Sequence, residues 1–323
     1  MNILIEKAAV YVLDSLGNEP LCPQQCMEIT DDVEQYLASC AAKGFAADEA
    51  RPCAMSRDSQ LLPLLQDINS AFLEKTTQMA DIWFDIMKEN PSIPACELVF
   101  LLMQIEGEAY LSVLKLNHKS GYMFFYDATG GKLSHCENIL QAQGKPDEAM
   151  YIQLANNELL VLEKKYDIDG HKIAYIASKI AQCKSGMSAK EKLDVICEAA
   201  VEVNRQFYGS LGVDESTVAA AVCEEYKAAP EGIAASEVCS RLYKDLPHAE
   251  EAFQKVLAEH EMVFAEPVAI SAPAVRRLEK QSLRSGSGVE IKVPVSVYRN
   301  TDAVEFLKND DGTTSLLIKN ILI

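Results

Sequence analysis

The chain has 323 residues, 49 % of them hydrophobic, and a formal net charge of −18. That length exceeds the ~250–300 residues at which single cores usually stop growing, so two compact domains are expected. Runs of about 18 uncharged apolar residues are absent and Glu6 and Asp14 interrupt the first stretch, which excludes a membrane span or signal peptide and points to a cytoplasmic protein.

The ten cysteines are scattered through apolar helical patterns and read as reduced, mostly buried thiols. Cys22 and Cys26 form a CxxxC without a second Cys or His pair at ligand spacing, which argues against zinc. The acidity is uneven. Residues 1–100 hold 16 acids and 6 bases, whereas residues 261–323 hold 8 of each. A basic patch on one lobe can therefore meet phosphate while an acidic lobe faces away, since exposed charges are screened beyond about 8–10 Å.

In chain order, Asp31 with Glu34 predicts a capping box and a helix through Ala42, stopped at Lys43-Gly44. From Ser59 to about Lys88, apolar residues at helical spacing (Leu61, Leu65, Ile68, Phe72, Met79, Trp83, Met87) predict one long amphipathic helix or two, closed by Asn90-Pro91. "CELVFLLMQIEGEAYLSVLKLNH" predicts a hairpin about "EGE", and the aromatic run "YMFFYD" a further strand of a buried sheet. "YIQLANNELLVLEKKYDIDG" continues the sheet, with a turn at Asn156-Asn157 and a stop at Asp169-Gly170. An N-terminal α+β domain is thus expected over 1–168 and a second domain over 169–323.

In the second domain, Ser188 and Glu191 form a capping box for a helix to about Tyr208. Asp214 opens another, stopped by Pro230, and shorter helices are expected at 234–244 and 248–260. The last sixty residues return to β character, with Asp311-Gly312 as a hairpin turn. The apolar end "SLLIKNILI" is read as an inner strand, its other use being a contact in a homo-oligomer. The fold class is α+β: an N-terminal domain with helices and a mainly antiparallel sheet, then a helical segment, then a C-terminal β-hairpin region.

Catalytic and metal patterns fail in turn. Aligning Gly170 or Gly312 with the EF-hand glycine puts Lys165 or Leu307 where a carboxylate must stand. Gly286-Ser287-Gly288 lacks the strand-before, helix-after context of a phosphate loop, and Gly209–Gly212 reads as a helix end rather than a nucleophile elbow. The histidines show no H-x-x-x-H spacing, and His135-Cys136 reads as incidental, in a polar loop. The expectation is a non-enzyme without cofactor or metal.

A basic cluster survives. With Pro273 in the first turn of a helix, Arg276, Arg277, Lys280 and Arg284 fall within an arc roughly 100° wide, while Val275 and Leu278 face the other way. Lys292, on the strand after "RSGSG", joins the same surface. A second region from Glu163 to Lys192 is lysine-rich and includes Lys164, Lys165, Lys172 and Lys179. The plain alternative for either region is a solvated face with last-turn cations set against the helix dipole.

"LEKKYDIDGHKIAYIASKIAQCKSGMSAKEKL", "LRSGSGVEIKVPVSVY" and "VEFLKNDDGTTSLLIKNI" together resemble the bacterial nucleoid-associated protein family of the NdpA/YejK type. The likeness spans essentially the whole chain. It implies a cytoplasmic, nucleoid-localised, non-catalytic protein whose partner is DNA, taken as duplex. Combined with the charge geometry, the expectation is phosphate contact with little base readout through the nine cations named above. The alternative is an acidic interaction protein that reaches the nucleoid through a basic protein partner.

Overall fold

The computed structural model describes residues 1–323 other than 128–129, 143, 208–214, 245, 285–287, 299, 301, 310–311 and 321–323. The chain divides into two compact units, Met1–Ser188 and Ala189–Ile323.

The first unit runs β1 (Ile3–Leu13), α1 (Asp31–Phe45), β2 (Arg51–Met55), α2 (Leu62–Leu65), α3 (Phe72–Glu89), β3 (Cys96–Ile105), β4 (Glu108–Asn117), β5 (Lys119–Asp127) and β6 (Gly130–Ile139). It continues through β7 (Glu148–Gln153), β8 (Glu158–Leu162), β9 (Lys165–Ile168), β10 (His171–Ala174), a π-helix (Ile176–Ile180) and β11 (Cys183–Ser185). Seven strands form one sheet in the order β1-β3-β4-β7-β8-β2-β11, and each neighbouring pair is antiparallel. β3 and β4 are joined by a two-residue turn in which Glu106 and Gly107 both have positive φ (50° and 89°), the geometry that matches strand twist.

β3 shows why its sequence reads as a continuous apolar run. Leu98, Phe100 and Leu102 face the layer containing α3 and the π-helix, while Val99, Leu101 and Met103 face the layer containing α1. With period-2 alternation, both faces are covered, so no polar side is left. On the first face Phe100 meets Tyr11 and Trp83 edge-on, with ring centroids 5.4 and 6.3 Å apart. Fully burying each such side chain contributes about 1.5–3 kcal/mol.

Five expectations change here. α1 does not stop at Gly44: it runs to Phe45, and Gly44 is buried because a Cβ there would fall on the Tyr151 hydroxyl and 2.9 Å from Pro146 Cγ. Close approach, not helix termination, requires this glycine. Asp31 lies within the first turn, beside Asp32 and Glu34, and Thr30 takes the cap position without a side-chain capping bond. The aromatic strand β5 is not part of the buried sheet; it pairs with β6 alone in a separate ribbon, which also places His135-Cys136 on a strand and not in a loop. Asp169-Gly170, with φ of 54° and 76°, is the turn joining β9 to β10, so the chain does not leave the first unit there. Residues 169–188 belong to that unit because β11 pairs with β2 at the sheet edge, and Tyr175, Ile176 and Ile180 lie in its core.

The second unit contains α4 (Ala189–Phe207), α5 (Glu215–Ala228), β12 (Ile233–Ala234), α6 (Ala235–Leu242), α7 (Pro247–Glu259), β13 (Pro267–Val268), α8 (Ala272–Leu278), β14 (Lys280–Arg284), β15 (Glu290–Pro294), α9 (Val295–Tyr298), β16 (Val304–Lys308) and β17 (Thr314–Ile318). Ile196 and Val203 of α4, Val222 of α5, Val238 of α6 and Phe253 of α7 are fully buried, and Tyr243 Oη donates to Ala200 O at 2.6 Å. Asp214, Tyr208, the Gly209–Gly212 stretch and Asp311 lie outside the described residues. β17 pairs with β16 alone, and Leu317 and Ile318 are exposed. It is one strand of a two-stranded ribbon, not an inner strand, because no third described strand aligns with it. The chain as a whole is α+β, with a mainly antiparallel sheet and C-terminal hairpins.

Candidate nucleic-acid interface

The C-terminal cations are placed by a short helix and the hairpin that follows it. Ser271 caps α8, its Oγ accepting from Ala274 N at 3.4 Å, and Pro273 occupies the first turn, where a missing N–H is harmless. Ala274 and Val275 are buried; Arg276 and Arg277 are exposed in the last turn, where cations suit the C-terminal end of the dipole.

The expected single helical arc does not exist, because α8 ends at Leu278. Lys280 and Arg284 instead lie at the two ends of β14, which pairs antiparallel with β15. The β-rich residues after Lys280 find strand partners across the Gly288 turn (φ 88°), and these ladder bonds replace another helical turn. The hairpin regroups the charges in another way. Lys292 stands directly opposite Ser282, and Ser282 shares strand parity with Lys280 and Arg284, so all three cationic positions fall on one hairpin face. The other face carries Val293, which is buried, and the half-buried Ile291. Lys280 and Lys292 are exposed, and Lys292 Nζ lies 3.8 Å from Glu290. The Arg284 side chain lies outside the described residues.

In the first unit, Lys164 is exposed, but its Nζ is bonded to Asp147 at 2.9 Å. Lys165 and Lys172 flank Asp167 on one face of the β9–β10 hairpin, Lys172 directly opposite it. Lys179 sits half-buried in the π-helix, and its carbonyl accepts from Gln60 Nε2. Partial burial would by itself raise Asp147, yet the Lys164 hydrogen bond, the Asn117 N–H and the Lys164 and Lys119 charges hold it below the usual carboxylate range.

Pattern reading missed a buried ionic cluster beside these lysines. Lys115 and Glu148, both fully buried, are cross-strand partners on β4 and β7 with Nζ–Oε2 at 3.0 Å. Glu148 also accepts from Lys164 N, Tyr166 Oη and Tyr175 Oη, and Lys115 Nζ donates to Asn117 Oδ1 at 2.6 Å. The available signal was a lysine inside the apolar run "LSVLKLNH", since a charge at a core position implies a buried partner. Nearby, Glu163 Oε2 accepts from Ile176 N and Ala177 N at 2.8 and 3.2 Å. Burial raises Glu163 first and Glu148 adds to it, so its carboxyl is pushed up to about 7 despite those two bonds.

The family model described as nucleoid-associated protein YejK matches residues 13–322. The chain belongs to the YejK family of nucleoid-associated proteins. No curated protein matches it. Among the described residues of this YejK-family chain, no helix is long and apolar enough to cross a membrane, and no group of three or more His, Cys, Asp or Glu residues could hold a metal ion. All ten cysteines are free thiols: five are buried, three half-buried, and Cys22 and Cys26 exposed. Burial pushes Cys96 and Cys197 up to about 12 and Cys239 up to about 11, which leaves them protonated and unreactive near neutrality.

Proposed function

We propose that this YejK-family protein is a non-catalytic DNA-binding protein that holds duplex phosphates through Arg276, Arg277, Lys280, Arg284 and Lys292, with help from Lys164, Lys165, Lys172 and Lys179 and with little base readout. The observation that carries the reading is the cationic side of the β14–β15 hairpin adjoining the α8 arginines: five cations against Glu279 and Glu290 over residues 272–292, in a chain of net charge −18. Clustered Arg and Lys gain affinity by counterion release, which needs no fixed base sequence. Lys164 contributes least, because Asp147 already holds its ammonium.

A gel-shift series on duplex DNA of unrelated sequences tests this. Neutralising about five phosphates gives log K against log[salt] a slope of roughly −4 to −5, similar for every sequence. Changing Arg276, Arg277, Lys280 and Arg284 together to Ala lowers affinity and flattens that slope; unchanged affinity removes the cluster from the reading. A second reading draws on the 16 acids against 6 bases in residues 1–100. In it the acidic surface holds a basic nucleoid protein, and DNA contact is indirect. Purified chain that shifts no DNA at low salt, yet co-purifies with such a protein after nuclease treatment, favours it.

A further inference from the structure

Cys53 and Cys183 lie far apart in the chain, in "EARPC" and "KIAQC", and nothing in their spacing joins them. The sheet does. β11 pairs antiparallel with β2, Ser185 opposite Cys53 and Cys183 opposite Met55, so the two cysteines are diagonal neighbours on one sheet face. Cys53 lies in the core under that face, and the half-buried Cys183 packs against it. The Cys183 S–H donates to the Cys53 sulfur, which also lies 3.5 Å from Ser185 Oγ. Cys183 is fixed from behind: Gln182 has φ 50°, its carbonyl accepts from Ser56 N at 3.2 Å and its Oε1 from Gln60 N at 3.1 Å, while Ala181 O accepts from Ser59 Oγ at 2.7 Å. Of the described thiols that depart from the ordinary range, Cys53 alone is held below it. The Cys183 hydrogen bond does most of this, against burial and the Glu163 charge, with help from Ser185 and Arg51. That same bond, then burial, raises Cys183. A thiolate therefore forms on Cys53 while Cys183 keeps its proton.

We propose that Cys53 and Cys183 are a redox-sensitive dithiol, which a small hydroperoxide converts to a reversible disulfide tying β11 to β2. The Cys53 thiolate attacks one peroxide oxygen and the O–O bond breaks, leaving Cys53 as a sulfenic acid; the departing oxygen takes the Cys183 proton. The Cys183 thiolate so formed attacks the Cys53 sulfur and expels hydroxide, which takes a proton from solvent. The two sulfurs lose two electrons in total, and the peroxide gains them. Cys53 is 6 % exposed, so the oxidant must be small. It enters at the sheet edge, because β11 has only three residues and no described strand pairs beyond it. Edge position also permits closure. Diagonal neighbours stand roughly 7–8 Å apart, past the ~4.4–6.8 Å Cα span of a disulfide, so the short strand must draw in by about 1 Å. A bond made under that strain is readily reduced, which suits a transient disulfide in a compartment that keeps thiols reduced.

This inference stands independently of DNA binding, and its test uses the full-length chain. Reduced protein is treated with hydrogen peroxide, its remaining thiols are alkylated, and the cysteine peptides are mapped by mass. The Cys53 and Cys183 peptides should be recovered joined, with the loss of two hydrogens, and separate again after dithiothreitol. Trp83 lies in the core of the same unit, so its fluorescence reads the bond as a change in stability. Oxidation should raise the urea midpoint by about 1 M or more, because the link closes a long loop of the unfolded chain. Dithiothreitol should return it. The rise should persist with Cys22→Ser and Cys26→Ser, which remove the exposed pair, and vanish with Cys183→Ser or Cys53→Ser. Cys183→Ser serves if the more buried Cys53→Ser folds poorly. Recovery of Cys53 and Cys183 as separate alkylated peptides, while the exposed thiols are oxidised, overturns the proposal. So do links scattered among many cysteines, or a midpoint rise that Cys183→Ser leaves in place.

Discussion

Replacing Glu163 by Gln probes a half-buried carboxyl whose charge the fold resists. The perturbation is small in shape: the amide oxygen still accepts from Ile176 N and Ala177 N, and the amide nitrogen takes the place of Oε1, a buried atom without a hydrogen-bond partner. The carboxyl is raised from its ordinary 4.5 to about 7, first by burial. A raised folded-state value means that the stability tied to the neutral form is fully present below about 4.5 and is lost as pH rises through about 7. Glu163→Gln stays neutral throughout, so the variant gains on the wild type as pH rises. Linkage gives a relative gain of about 2 kcal/mol between pH 5.5 and 8.5. The chain's single tryptophan, Trp83, lies in the core of the same unit, so its fluorescence during urea unfolding reports on that unit alone. Titrating groups remote from Glu163 cancel in the difference between the two proteins. A difference that stays constant from pH 5.5 to 8.5 refutes the reasoning.

Two further predictions use the same assay. Lys115→Met should destabilise the first unit by about 3–5 kcal/mol, because it leaves the fully buried Glu148 carboxylate without its ammonium; adding Glu148→Leu should recover at least half of that loss. Gly44→Ala should cost about 1–3 kcal/mol by overpacking against Tyr151 and Pro146. In a Tyr151→Phe background, which removes the hydroxyl that the new methyl meets and the bond to Ala41 O, the same change should cost distinctly less.

The local grammar of the chain was legible. The Glu106-Gly107 turn, the amphipathic stripe through Met79, Trp83 and Met87, and the helix opening after Ser188 each follow from dihedral preference and from periods of 2 and 3.6, which act over a few residues. So was the family, because its blocks are contiguous in sequence. Of the candidate site, the identity of the cations was legible and their arrangement was not. Lys280 and Arg284 carry helical spacing from Arg276 and Arg277, yet the strand β15 captures them into a hairpin, and cross-strand register puts Lys292 beside them. The fate of "YMFFYD" is of the same kind: an aromatic β-run reads alike whether helices cover it or water does.

What the sequence by itself determined is where helices and turns begin and which residues are apolar or charged, since those depend on neighbours along the chain. Which strands pair, that residues 169–188 close the first sheet, that Lys115 finds Glu148, and that the aromatic ribbon stands free were decided only by tertiary structure. Pairing and burial are set by contacts between residues tens of positions apart, and the free energy of those contacts is not written in any one segment.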